Sequence, residues 1–203
     1  MARRSPQEAE QTRQALLMAA LEVFSERGAA TATLKDVANQ AGVTHGALYW
    51  HFKNRDALLA ALFERVALPF DRHYLEQLQA SRQQALSALE AYLLGLLKEI
   101  AGDPQSQRVY RLFYAGNESC TGVAALAEQR QHALNQGVGH IQYFLKQARK
   151  QQLIGLKKSQ LEPMAKSICC LLLGVVQSLL LAPQLFSLRE QGPLLVRSCL
   201  RGL

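Results

Sequence analysis

Residues 33–58 read TLKDVANQAGVTHGALYWHFKNRDAL, two short helical patterns that meet at a glycine followed by a polar cap. Thr33 caps a first helix whose Leu34, Val37, Ala38 and Ala41 face inward. Gly42 makes the turn, Val43 packs, and Thr44 caps the second helix. This is the outline of a helix-turn-helix. Steps of about 100° round the second helix put Ala47 and Leu48 on one side and His45, Gly46, Tyr49 and Trp50 on the other. That exposed face is polar, aromatic and flat. Gly46 lets the backbone approach a groove, and His45, near the helix start, is the candidate base reader. Tyr49, His51 and Lys53 offer donors to phosphate oxygens, and Thr33 and Thr44 offer hydroxyls and helix N-termini to the same backbone. Two residues stay open at this point: Trp50 between the groove face and packing on the preceding helix, and His51 between phosphate contact and helix capping.

Working outward, Leu, Ala, Gln, Glu and Arg dominate, and apolar residues never alternate with polar ones over a strand length, so the expected fold class is all-α. A first helix is expected over Pro6–Arg27, with Leu16, Ala20, Val23 and Phe24 on one stripe and Gly28 as its stop. After Asn54 as N-cap, a helix is expected from Arg55 to about residue 79, kinked at Pro69. Further helices are expected over residues 82–101, 104–117, 123–151 and 159–181, with a short last one starting near Pro193. The expected organisation is a three-helix DNA-binding head over residues 1–53 and a larger helical part over 54–203.

The net charge of +7 suits an anionic partner, but the chain to Arg55 holds seven Lys and Arg against five Asp and Glu, so charge alone does not locate the DNA face. Cys120, Cys169, Cys170 and Cys199 have no pairing-like spacing and read as reduced thiols. The polar N-terminus has no secretory pattern, which makes the cytoplasm the expected location. The longest apolar run, residues 168–182, falls short of the roughly 20 residues that span a bilayer, so no membrane partner is expected. No Gly-rich phosphate loop, metal-ligand cluster or nucleophile elbow is present, and His45, His51, His73, His132 and His140 are scattered. Neither an enzyme nor a metal or cofactor is expected.

The run GVTHGALYWHFKNRDAL, residues 42–58, resembles the signature of the TetR family of transcription regulators in its Gly-Val, Gly-Ala-Leu-Tyr and His-Phe-Lys positions. The resemblance covers Thr12 to about Leu62, and it is most similar to the branch that represses multidrug efflux pumps. It implies a dimer bound to palindromic double-stranded operator DNA and released by a hydrophobic, often cationic, effector. It also implies phosphate contacts from Tyr49, His51 and Lys53 with help from Thr33 and Thr44, and base contact from His45. His45 departs from the Arg frequent there, and an imidazole cannot copy a bidentate Arg on guanine. The operator sequence therefore does not transfer.

About three quarters of the chain follows the head, enough for a dimer surface and a ligand cavity. Phe63, Tyr92, Phe113 and Tyr114 are candidate pocket residues, with Glu64, Glu90 and Glu118 as candidate countercharges. Residues 161–181 are apolar nearly all round, as in a helix between its own core and a partner. Ile168, Leu172, Val176 and Leu179, with Val196 from the last helix, are the candidate dimer residues. Two alternatives remain at this point: oxidant sensing through Cys120 or the Cys169–Cys170 pair, and a helical adaptor that never binds DNA.

Overall fold

Ser5 opens the first helix as its sequence requires. Its hydroxyl accepts the Glu8 N–H at 3.2 Å, the Glu8 carboxylate accepts the Ser5 N–H at 2.8 Å, and Pro6 fills the first helical position. The computed structural model describes residues 5–66, 70–115, 124–185 and 187–203, and among these there is helix and no strand. The helices are α1 (Pro6–Arg27), α2 (Leu34–Gln40), α3 (His45–His51), α4 (Arg55–Arg65), α5 (Phe70–Leu78), α6 (Ala85–Gly102), α7 (Pro104–Phe113), α8 (Ala124–Lys150), α9 (Leu161–Leu181) and α10 (Leu188–Arg201).

Four boundaries differ clearly from expectation: α6 starts at Ala85 rather than 82, after a 3-10 turn over Ala80–Arg82, α7 ends at Phe113 rather than 117, and two others differ by more. The long helix from Arg55 is two helices: Val66 closes α4 and α5 begins at Phe70, with Pro69 outside the described residues. The last helix starts five residues before Pro193, because Ser187 caps it by accepting the Glu190 N–H at 3.4 Å while Gln191 accepts the Ser187 N–H at 2.6 Å. Pro193 thus sits inside α10 and removes one backbone rung. Val196, buried, and the Arg197–Glu90 pair at 2.7 Å hold the helix on α6 past that gap.

The chain packs as two compact units: Met1–Ala67 with Arg108–Arg130, and Leu68–Gln107 with Gln131–Leu203. In the first, α1 packs on α2 and α4, and α2 on α3. Leu16, Leu17, Ala20, Val23 and Phe24 of α1 are buried, with Leu48 of α3 and Leu58, Leu59 and Leu62 of α4. In the second, α6 is the central helix, packed by α5, α9 and α10. The first turn of α6 has no side-chain cap of its own; Gln151 supplies it, accepting the Ala85 N–H at 3.0 Å and donating to the Ser81 carbonyl at 2.8 Å. Residues 158–181 are long and apolar enough to cross a bilayer, so the length argument made from the sequence does not hold. One face of α9 nevertheless packs on α6, and its first turns carry an exposed Glu162–Lys166 ion pair at 2.6 Å.

Candidate nucleic-acid interface

The turn between α2 and α3 is built on Gly42, whose φ of +66° is the left-handed region that side chains disfavour. Its N–H reaches the Asn39 carbonyl at 3.1 Å, and the Val43 N–H reaches Ala38 at 3.0 Å. Thr44 then caps α3 by accepting the Ala47 N–H at 3.2 Å. Leu48 is fully buried under α3, which leaves Thr44, His45, Gly46, Tyr49 and Trp50 exposed, with Lys53 just beyond the helix. Trp50 is 74% exposed, so it does not pack on the first helix. The exposed rings are ordered against each other: His45 meets Tyr49 edge-on at 4.8 Å, and Trp50 meets His51 edge-on at 4.5 Å. A Cβ added at Gly46 would meet nothing within 4 Å, so packing in the free chain gives no reason for glycine there.

Thr33 is placed differently. Its hydroxyl donates to Asp36 Oδ2 at 2.6 Å and accepts the Asp36 N–H at 3.1 Å, so its proton is already committed. The hydroxyl bond and the Thr33 N–H, which donates to the same carboxylate oxygen at 2.8 Å, with Arg27 and Lys35 nearby, hold the Asp36 carboxyl below the usual carboxylate range. Sequence reasoning passed over two cations of the head. The Arg13 guanidinium lies over the Phe52 ring at 5.6 Å, and Arg55 donates to the carbonyls of Ala32 at 2.5 Å and Ala30 at 3.4 Å. Partners more than twenty residues away leave no local signal in sequence.

Of the aromatic candidates, the structure brings three together. In the first unit Phe63 meets Phe113 edge-on at 5.0 Å and Tyr114 at 6.4 Å, and Tyr110 stacks near Tyr114 at 6.0 Å. Burial pushes the Tyr110 phenol up to about 12 and raises Tyr114 as well. Tyr92 belongs to the second unit, where burial likewise raises its phenol. There the His140 ring stacks on Tyr74 at 4.1 Å, with Nε2 3.2 Å from Asp71 and Nδ1 3.5 Å from the Tyr92 hydroxyl. Glu90 is paired with Arg197 and is no free countercharge; Glu64 is exposed, and Glu118 lies outside the described residues.

Four of the five dimer candidates lie within the single chain's own core. Ile168, Leu172, Val176 and Val196 are at most 4% exposed inside the single chain, so they form its own core; Leu179 is half-buried. The exposed stripe of α9 is instead Ser167, Cys170, Leu171, Gly174, Ser178 and Leu181. Leu171 also lines a groove with Gln191, Leu194, Leu195, Ser198 and Cys199 of α10. A helix apolar nearly all round gives no periodicity to say which half turns inward. Cys169 is buried, and burial pushes its thiol up to about 11, which leaves it protonated and inert. Cys120 lies outside the described residues. Among the described residues no group of three His, Cys, Asp or Glu side chains is placed to hold a metal ion.

Residues 16–62 match the family described as bacterial regulatory proteins, tetR family, and residues 84–203 match the C-terminal region of the MAATS-type transcriptional repressors. The chain is 32% identical over 134 residues to the transcriptional regulator TtgR of Pseudomonas putida, covering 66% of this chain and 64% of TtgR, less than two thirds of that relative. It is 30% identical over 206 residues to the probable acrEF/envCD operon repressor of Escherichia coli, covering 99% of this chain and 90% of the relative. Its fold is similar to that of SmeT in complex with triclosan, with a TM-score of 0.78 and 28% identity over 95% of this chain and 91% of that one. SmeT is the repressor of the Stenotrophomonas maltophilia efflux pump SmeDEF.

Proposed function

Because this chain belongs to the tetR family of bacterial regulatory proteins, we propose that it is a ligand-responsive repressor that binds a palindromic operator as a homodimer and controls a multidrug efflux system. Members of the family are DNA-binding regulators and not enzymes. The observation that carries the reading is the outer face of α3, where two exposed aromatic rings, an imidazole and a glycine with open space above it lie side by side. A buried Leu48 fixes that face outward. His45 reads base edges, Gly46 admits the groove wall, and Tyr49, Trp50, His51, Lys53 and Thr44 meet the backbone. Thr33 supports this from behind as a cap for α2. Residues 1–53 form the DNA-binding part and 54–203 the ligand-binding and dimerisation part.

The second copy binds on the exposed α9 stripe and the α10 groove, which offer Leu171, Leu181 and Leu194 to water in the single chain. The effector is a small hydrophobic molecule. Support comes from the aromatic clusters round Phe63 and Tyr92, and from SmeT, whose structure holds triclosan. The regulator acts in the cytoplasm, where its operator is. Binding to DNA immediately upstream of its own gene, footprinted at two salt concentrations with and without triclosan and hydrophobic cations, tests the reading. A palindromic footprint lost on adding one compound is the expected result; a compound-insensitive footprint would leave DNA binding standing and remove the ligand.

A further inference from the structure

Arg55 stands two residues after Lys53, at the first position of α4. Its side chain is half-buried. One Nη donates to the Ala32 carbonyl at 2.5 Å and the other to the Ala30 carbonyl at 3.4 Å. Those carbonyls belong to the loop that leaves α1 at Gly28, where φ is +82°, and delivers Thr33, the cap of α2. Ala29 and Ala32 are buried, so the loop is seated from below by apolar contact and held from the side by the guanidinium. Asn54 fixes the start of α4 by accepting the Ala57 N–H at 2.8 Å, which makes the first turn of α4 a firm anchor for the fork.

We propose that Arg55 is a positioning residue of the DNA-binding head: it fastens the 30–32 loop, and through Thr33 the α2–α3 pair, to the start of α4, and it does not contact phosphate. The assignment rests on the DNA-binding reading above. The planar fork of Arg reaches two carbonyls at once, whereas the single ammonium of Lys on a flexible stem cannot hold both. A phosphate contact, made by either cation, would instead add to the salt dependence of binding.

The charge-conserving variant separates the two roles. Binding to the fragment footprinted upstream of the gene is measured against salt for wild type, Lys53→Gln, Arg55→Gln and Arg55→Lys. Amide exchange over residues 28–40 and over α6 is followed in the same four proteins. Arg55→Gln is expected to weaken binding about 10- to 100-fold, the effect of one charge-assisted hydrogen bond, with the salt slope of wild type. Arg55→Lys is expected to weaken it at least about fivefold, again in parallel. Both should speed exchange over 28–40 and leave α6 unchanged, while Lys53→Gln shallows the slope and leaves exchange alone. Should Arg55→Gln unfold, Arg55→Lys, which keeps the stem and one donor, carries the test. Wild-type binding by Arg55→Lys, or a slope shallowed in Arg55→Gln and restored in Arg55→Lys, would make Arg55 a phosphate contact and overturn the proposal. If wild type binds no fragment, the DNA-binding reading falls and takes this assignment with it.

Discussion

At the scale of single residues, Gly46 makes a prediction in which stability and function move in opposite directions. A Cβ there meets nothing within 4 Å, and Ala is favoured over Gly inside a helix by about 0.5–1 kcal/mol. Gly46→Ala should therefore unfold at the same or a slightly higher temperature and bind operator more weakly, because the added methyl stands where the groove wall approaches. Undiminished affinity in an operator titration would show that the backbone of α3 does not come close to the DNA. Lys53→Gln and His45→Ala extend the same test: the first should lower the salt slope by about 0.9 per copy, about 1.8 for the dimer, for all sequences, and the second should change base preference with the slope kept. The residues of this face were legible because a helical step of about 100° needs only local sequence. Trp50 was undecided, since exposure on a helix edge depends on what else packs there, and its 74% exposure removes the packing reading. Arg55 was not legible at all: its partners lie 23 and 25 residues earlier, and nothing in the intervening sequence points to them.

At the scale of elements, the helices themselves were read correctly where caps and apolar stripes coincide, as in α1, whose span of Pro6–Arg27 is the expected one. The reading failed where a rule about one residue outweighed the packing of a whole helix, as when Pro193 was made a start although Ser187 and Gln191 begin α10 before it. The pairing of α5 with α6 turns on a glycine that no sequence pattern marks. His73 of α5 places Nε2 2.8 Å from Glu99 and Nδ1 3.0 Å from Glu76, and a Cβ at Gly95 of α6 would stand 2.8 Å from that Nδ1. Gly95→Ala should displace the ring, loosen α5 from α6 and lower the melting temperature, although Ala is the better helix former. A raised melting temperature would mean that the ring moves aside without cost. On α9 the two faces predict different losses. Leu171→Glu should convert the dimer to monomer in sedimentation with little change in monomer stability, whereas Ile168→Ala should cost about 2–5 kcal/mol of stability and leave the dimer interface intact. Dissociation by Ile168→Ala and not by Leu171→Glu would return the interface to the residues first read from the sequence.

At the scale of the whole molecule, the pH dependence of stability has a sign that His140 sets near neutrality. Its ring is packed against Tyr74 of α5 and Tyr92 of α6, with Asp71 of α5 as the one acid paired to it among the described residues. Burial lowers its affinity for a proton, and the Asp71 carboxylate opposes this without overcoming it. A histidine whose folded value is depressed contributes stability that is fully present above about 6.5 and is lost as pH falls through the folded value. The carboxyls of Asp36 and Asp103, held below the usual range chiefly by hydrogen bonds from Thr33 and Ser106, add a second loss at more acid pH, since their stabilisation also disappears on protonation. The melting temperature should therefore fall in two stages on acidification, the first setting in as the pH drops through about 6.5 and the second below about 4. His140→Gln, which keeps a hydrogen-bonding side chain without a titration, should flatten the first stage and leave the second. If the wild type instead gains stability in the first stage, the charge of Asp71 outweighs the burial, and the Asp71–His140 contact is an ion pair that tightens α5 on α8 as protons bind.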